Sequence, residues 1–126
     1  MIYQEYQVRA EGSAEDAKMT TYLISHSEAM KIQKRPLIII CPGGGYRYVS
    51  EREGEMIALQ WNALGYHAVV LKYSVHPAIY PTALLELATV MKLVKQHSEE
   101  WHVDAERILV EGSSAGGHLA ASYGMF

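Results

Sequence analysis

The sequence predicts an α/β domain: a mostly parallel sheet with helices packed on both of its faces. Three observations predict it. Apolar runs of strand length stand at Leu37–Cys41, Val69–Tyr73 (broken only by Lys72) and Ile108–Val110, and a strand apolar on both sides needs cover on both sides. Stretches of helical periodicity separate the runs. Glycine-rich turns follow the first and the last of them, where α/β sheets carry their functional loops.

Each element has its own signal. Residues 2–8 alternate loosely through Ile2, Tyr6 and Val8 and predict a first strand; the β-branched and aromatic Thr20–Ile24 predicts a second. The polar stretch 10–16 reads as the turn between them. Leu37–Cys41 is closed by Pro42 and three glycines. Ser50-Glu51-Arg52-Glu53 fits a capping box, in which Ser50 and Glu53 would satisfy free N–H groups at a helix start. Met56, Ile57, Leu59, Gln60, Trp61 and Leu64 follow at helical spacing, with Gly65 at the C-terminal end. Pro81 falls where a first-turn proline is tolerated. Leu84, Leu87, Ala88, Met91 and Val94 then recur in steps of three and four as a core-facing stripe. Asp104 and Arg107 read as a cap and ion pair leading into the last strand.

The chain has 126 residues, the size of one ordinary domain. Its formal charge is −3 and no more than two basic residues are adjacent, so electrostatics gives no support for binding nucleic acid or an anionic membrane. The N-terminus has neither the basic nor the apolar segment of a secretory signal, and the apolar runs are too short to span a bilayer. A cytoplasmic location is the default expectation. The only cysteine, Cys41, reads as a small buried residue at a strand end. No metal or cofactor is implied.

Gly112-Ser113-Ser114-Ala115-Gly116 matches G-x-S-x-G between an apolar strand and a helix-compatible segment, which is the context a nucleophile elbow requires. A serine on so tight a turn has a strained backbone, and its neighbours two residues either side must be small. Gly112 and Gly116 meet that requirement for Ser114. Ser113 does not qualify, because Glu111 lies two residues before it. A second glycine loop, Pro42-Gly43-Gly44-Gly45-Tyr46, follows an earlier strand. Successive glycines let backbone N–H groups face a developing oxyanion, and one such donor is worth on the order of 3 kcal/mol. Gly44 and Gly45 are the candidate donors, with Ala115 beside the nucleophile. A phosphate-binding loop is excluded on detail: there is no Gly-Lys-Ser/Thr and no G-x-G-x-x-G.

Together with Ser50–Glu55, Tyr73-Ser74-Val75, Tyr80-Pro81, Trp101–Asp104 and Gly116-Gly117-His118-Leu119-Ala120-Ala121, these motifs resemble the α/β-hydrolase esterases, in particular the acetyl-esterase and acetyl-xylan-esterase-like group. The resemblance covers most of residues 20–126. Pro42 stands where lipase-like relatives have histidine before the glycines. The resemblance implies a serine esterase for a small ester, such as an acetylated sugar or small alcohol, with Ser114 attacking the carbonyl. Tyr46, Tyr48, His76 and Tyr80 are candidates to line the substrate pocket.

In this fold the acid and the histidine follow the nucleophile in the chain. Twelve residues follow Ser114; they include His118 but no Asp or Glu. His118 falls too close in sequence to reach over the hydroxyl, and the other five histidines precede the elbow. The resemblance therefore implies a partial, truncated α/β-hydrolase domain over 1–126, with C-terminal strands absent. The alternative is a catalytically idle fragment or interaction module. A sheet cut at Ile108–Val110 would leave an open edge and predicts self-association, with Met125 and Phe126 short of apolar cover.

Overall fold

Leu37, Ile38, Ile39, Ile40 and Cys41 are all buried, and the strand they form, β3 (Arg35–Cys41), sits inside the sheet with a neighbour on each side. The computed structural model describes residues 1–78 and 81–124. The other strands are β1 (Ile2–Gln7), β2 (Lys18–Leu23), β4 (His67–Lys72) and β5 (Val103–Gly112), in the order β1-β2-β4-β3-β5. β3 runs parallel to both β4 and β5, while β1 and β2 form an antiparallel hairpin on the far edge. The predicted strands are all present. β5 is longer than its apolar core, because Val103 already pairs with Arg35 and residues 104–107 form an irregularity before Ile108 pairs with Leu37. In that irregularity Asp104 accepts from Arg107 Nε (2.8 Å) and from the Glu106 amide (3.0 Å), as the sequence suggested.

Three α-helices cover the described sheet: α1 (Glu55–Ala63) on one face, α2 (Thr82–Gln96) and α3 (Ala115–Gly124) on the other. None is long and apolar enough to cross a membrane. The α2/α3 face holds the larger core, where Leu87, Val90, Val94 and Leu119 pack on Leu37, Ile39, Val69 and Leu71. The α1 face is smaller and centres on Ala58 against Ile38, Ile40 and Ala68.

Four local expectations are corrected. Ser50 makes no side-chain cap; residues Glu51–Glu53 form a single 3-10 turn and Gly54 is the residue before α1. The physical reason is that both donors of the box are already used: the Ser50 amide donates to the Gly43 carbonyl at 2.9 Å and the Glu53 amide to the Ser50 carbonyl at 3.1 Å. In α1 the apolar stripe is out of phase with the core: Met56, Leu59 and Leu64 are exposed, and the small Ala58 makes the close approach to the sheet, flanked by half-buried Ile57 and Trp61. In α2, Ala88 faces solvent and Val90 takes the core position. Pro81 is the residue before the helix rather than in its first turn. Gly65 does follow the end of α1 with φ +92°, a left-handed conformation that suits glycine after a helix. Cys41 is buried, and burial pushes its thiol up to about 12.

Candidate active site

β3 delivers the chain into a loop that must turn sharply. Gly44 has φ +144° and Gly45 has φ +66°. A side chain on Gly44 would overlap the Tyr48 carbonyl, which folds back so that the Arg47 and Tyr48 amides donate to the Gly44 oxygen (3.1 and 3.4 Å). The loop is held from outside as well. The Tyr73 hydroxyl donates to the Pro42 carbonyl (2.5 Å), and the His76 amide donates to the Tyr46 carbonyl (2.7 Å). Tyr46 itself lies at φ +62°, and its hydroxyl hydrogen-bonds His118 Nδ1 at 2.8 Å. The Tyr46 ring packs edge-on against Tyr73. Desolvation raises the pKa of both phenols, so they remain neutral donors or acceptors.

β5 ends in the second loop. Ser114 has φ +54° and is exposed, and α3 begins at the next residue. A non-glycine residue in this region costs on the order of 1–3 kcal/mol unless its surroundings enforce it. They do so here. A Cβ on Gly112 would overlap the Gly116 carbonyl, and one on Gly116 would overlap the Cys41 carbonyl at the end of β3. The Gly116 amide donates to Ser113 (2.9 Å), the His118 amide to Ser114 (3.0 Å), and the Ser113 amide to Cys41 (3.3 Å). The two loops therefore touch: a Cβ on Gly43 would lie 3.1 Å from Ser114 Cβ.

Around Ser114, the backbone amides of Gly44, Gly45 and Ala115 are among those without an acceptor among the described residues. Ala115 is the first residue of α3, whose N-terminus favours negative charge. An exposed hydroxyl beside unpaired amides has the components for attack on a carbonyl and stabilisation of the resulting oxyanion. No histidine ring bonds Ser114 among the described residues. The His118 ring is engaged by Tyr46, and His67 is buried between the Ile24 amide and the His102 carbonyl.

The expected pocket residues do not form one wall. Tyr46, His76 and His118 line a cavity of about 730 Å³ on the α2/α3 side, closed by Leu84 and Leu119. Tyr48 lines a separate groove of about 580 Å³ on the α1 side, with Tyr3, Tyr22 and Pro42. Tyr80 lies outside the described residues, as do Met125 and Phe126. The split follows from the left-handed turn at Gly44–Tyr46, which directs residues two apart to opposite faces of the sheet.

Sequence reading missed two features near the site. Glu53, taken as part of a cap, lies against the loop, with Oε1 3.1 Å from where a Gly43 Cβ would be. It faces Glu111, whose carboxyl is raised first by burial and then by the Glu53 charge, and whose Oε2 is buried without a partner among the described residues. The second is Glu86 on α2, fully buried. It accepts from the Ser74 amide, the Ser74 hydroxyl and the Ser13 hydroxyl, each at 2.6 Å. This network ties the loop after β4 and the β1–β2 turn to α2. No cluster able to hold a metal ion occurs among the described residues.

A family model described as BD-FAE matches residues 22–126. The chain is similar to the carboxylesterase Cest-2923 from Lactobacillus plantarum WCFS1, at 34% identity and TM-score 0.88, covering 98% of this chain and 46% of that one. It is similar to an acetyl ester-xyloside bifunctional hydrolase from Caldicellulosiruptor lactoaceticus, at 37% identity and TM-score 0.78, covering 83% and 37% respectively. In sequence it is similar to endo-1,4-beta-xylanase B of Butyrivibrio fibrisolvens, 26% identical over 93 residues, covering 71% of this chain and 15% of that protein. The chain thus spans about half the length of the matched carboxylesterase and a much smaller part of the xylanase.

Proposed function

Because the chain belongs to the BD-FAE family of α/β-hydrolases, with carboxylesterases among its structural neighbours, we propose that it is the nucleophile-bearing part of a serine carboxylesterase acting on a short acyl ester, such as an acetylated carbohydrate or small alcohol. The observation that carries this reading is the left-handed backbone of Ser114 between two glycines that leave no room for a side chain. A serine accepts that strain where its hydroxyl must stand clear of the sheet.

Ser114 Oγ attacks the ester carbonyl, and the carbonyl oxygen becomes an oxyanion. The unpaired amides of Gly44, Gly45 and Ala115 are the donors assigned to it. Collapse of the intermediate expels the alcohol and leaves an acyl-serine, which water hydrolyses. A base must take the Oγ proton and pass it to the leaving alcohol. We assign that base, and the acid that orients it, to no residue of this chain. The carbohydrate alcohol is supported by the similarity to the acetyl ester-xyloside hydrolase. No cofactor is needed for these steps.

The absence of a histidine on Ser114 among the described residues favours a second reading, in which the chain binds but does not hydrolyse and Ser114 is idle. Hydrolysis of an aryl acetate by the purified chain separates the two. Under the esterase reading, Ser114→Ala reduces the rate to that of buffer and abolishes acyl labelling of the protein. Equal rates in wild type and variant, with no acyl labelling of either, remove Ser114 from catalysis by this chain.

A further inference from the structure

The groove on the α1 side is unlike the cavity on the other face. Its floor is the exposed part of the β1–β2–β4 sheet, and its walls are the start of α1 and the loop at 47–49. Two tyrosines present their rings to solvent along it, Tyr3 at 56% and Tyr48 at 57% exposure. Tyr22 supports Tyr3 edge-on at 5.3 Å between centroids, and its own hydroxyl reaches Glu55 Oε1 at 3.4 Å. A ring fixed as Tyr3 is offers an apolar face that loses little freedom when covered.

The charges between those rings are largely paired. Lys18 meets Glu5 at 2.5 Å and Lys72 meets Asp16 at 2.8 Å. The remaining lining charges, Arg47 against Glu51 and Glu55, leave the groove close to neutral. An anionic ligand would find no excess of cations, and an apolar chain would have to desolvate these paired charges. A neutral polyol satisfies both demands, because its hydroxyls bond to carboxylates and ammonium groups while its C–H faces lie on the rings.

The groove also leads to the right place. Pro42 lines it, and the next residue, Gly43, is the one packed against Ser114. A ligand in the groove would lie against Tyr48, whose Cδ2 is 3.2 Å from where a Gly44 Cβ would be, and so beside the Gly44 end of the loop, whereas Gly45 lines the cavity on the other face.

We propose that this groove, bounded by Tyr3, Tyr22 and Tyr48, binds the neutral saccharide portion of the ester. The idea rests on the carbohydrate-ester reading above for its meaning, but its test does not depend on turnover. The Ser114→Ala chain is titrated with xylotetraose, and amide shifts are followed by NMR. Saturable binding is expected, with shifts concentrated at Tyr3, Lys18, Tyr22, Tyr48 and Glu55. Tyr48→Ala and Tyr3→Ala should each weaken binding about tenfold, and Lys92→Ala, on the far side of the molecule, should leave it unchanged. Both tyrosines are exposed, so a melting profile like that of the parent confirms that each variant is folded. An oligogalacturonate of equal length and a hexanoate serve as anionic and apolar probes and should bind more weakly. Shifts mapped to the Tyr46–His118 cavity, no saturation with xylotetraose, or wild-type affinity in the folded tyrosine variants would overturn the proposal. If the esterase reading alone fails, Ser114→Ala leaves aryl acetate hydrolysis unchanged while the sugar still binds. If the groove alone fails, hydrolysis depends on Ser114 and sugar binding ignores Tyr48.

Discussion

The two faces of the sheet are closed to different degrees. On the α2/α3 face, two helices bury a continuous apolar core, and the Glu86 network fastens the loops above it. On the α1 face, one nine-residue helix makes contact through Ala58. Met56 (64% exposed) and Leu59 point outward there, and Leu109 on β5 is 44% exposed. The backbone that holds Ser114 and its neighbouring amides is braced mainly from the closed face, by Tyr73, Tyr46 and His118. The open face supplies exposed side chains, Tyr48 among them. Position is thus fixed mainly from one side of the sheet, which also carries the Tyr46–His118 cavity, while the other side offers the groove at Tyr48.

The comparison breaks most directly under substitution of like for like. Leu87→Ala on α2 opens a cavity in the closed face and is expected to cost about 4 kcal/mol. Leu59→Ala on α1, the same chemical change at an exposed position, is expected to stay within about 0.5 kcal/mol of wild type. Urea titration of both variants measures the difference. Comparable losses would mean that the α1 face is as closed as the other.

The same asymmetry explains what was legible in the sequence. β3 was readable to within two residues at its start, because a strand buried on both faces carries its signal in every residue. The glycine spacing around Ser114 was readable because backbone overlap at Gly112 and Gly116 is a local constraint. The phase of α1 was not readable, since an apolar stripe shows amphipathicity but not which stripe meets the sheet, and the small Ala58 won by allowing closer approach. Glu86 was hidden inside an apolar pattern on α2; its donors, Ser13 and Ser74, come from distant turns that only the folded chain brings together. Tyr46 and Tyr48 were both visible as aromatics beside the glycine loop. Their separation to opposite faces depends on three consecutive positive φ angles, which residue type alone does not specify.

A smaller effect, spread over pH, sharpens the comparison at the base of the sheet. The Ile24 amide donates to His67 Nδ1 (3.0 Å), so the ring proton resides on Nε2 and is donated to the His102 carbonyl (3.1 Å). Burial pushes this histidine down to about 4 from its ordinary 6.5, against the opposing pull of the bond to His102. The unfolded chain therefore takes up a proton first as pH falls. The contribution of His67 to stability is complete above pH 6.5, declines between 6.5 and about 4, and is constant below that. Its full size is about 3 kcal/mol. Urea midpoints measured across that window should fall more steeply for wild type than for His67→Gln. Parallel curves would show that the ring is not held neutral by the fold.

The smallest effect on stability is expected at the outer edge of the open face. Among the described residues β5 has a hydrogen-bonded neighbour only in β3, and its other side, next to the exposed Leu109, pairs with no described strand. Such an edge pairs with another strand unless charge or shape prevents it. We expect the chain to self-associate through β5. Leu109→Lys places a charge beside that edge at a position already in solvent, so folding stability should change by no more than about 0.5 kcal/mol. Sedimentation at increasing concentration should show wild type moving to larger species while the variant stays monomeric. A wild type that sediments as a monodisperse monomer over the same range would show that the β5 edge is shielded by its own irregularity at 104–107, and that openness of the face does not extend to its edge.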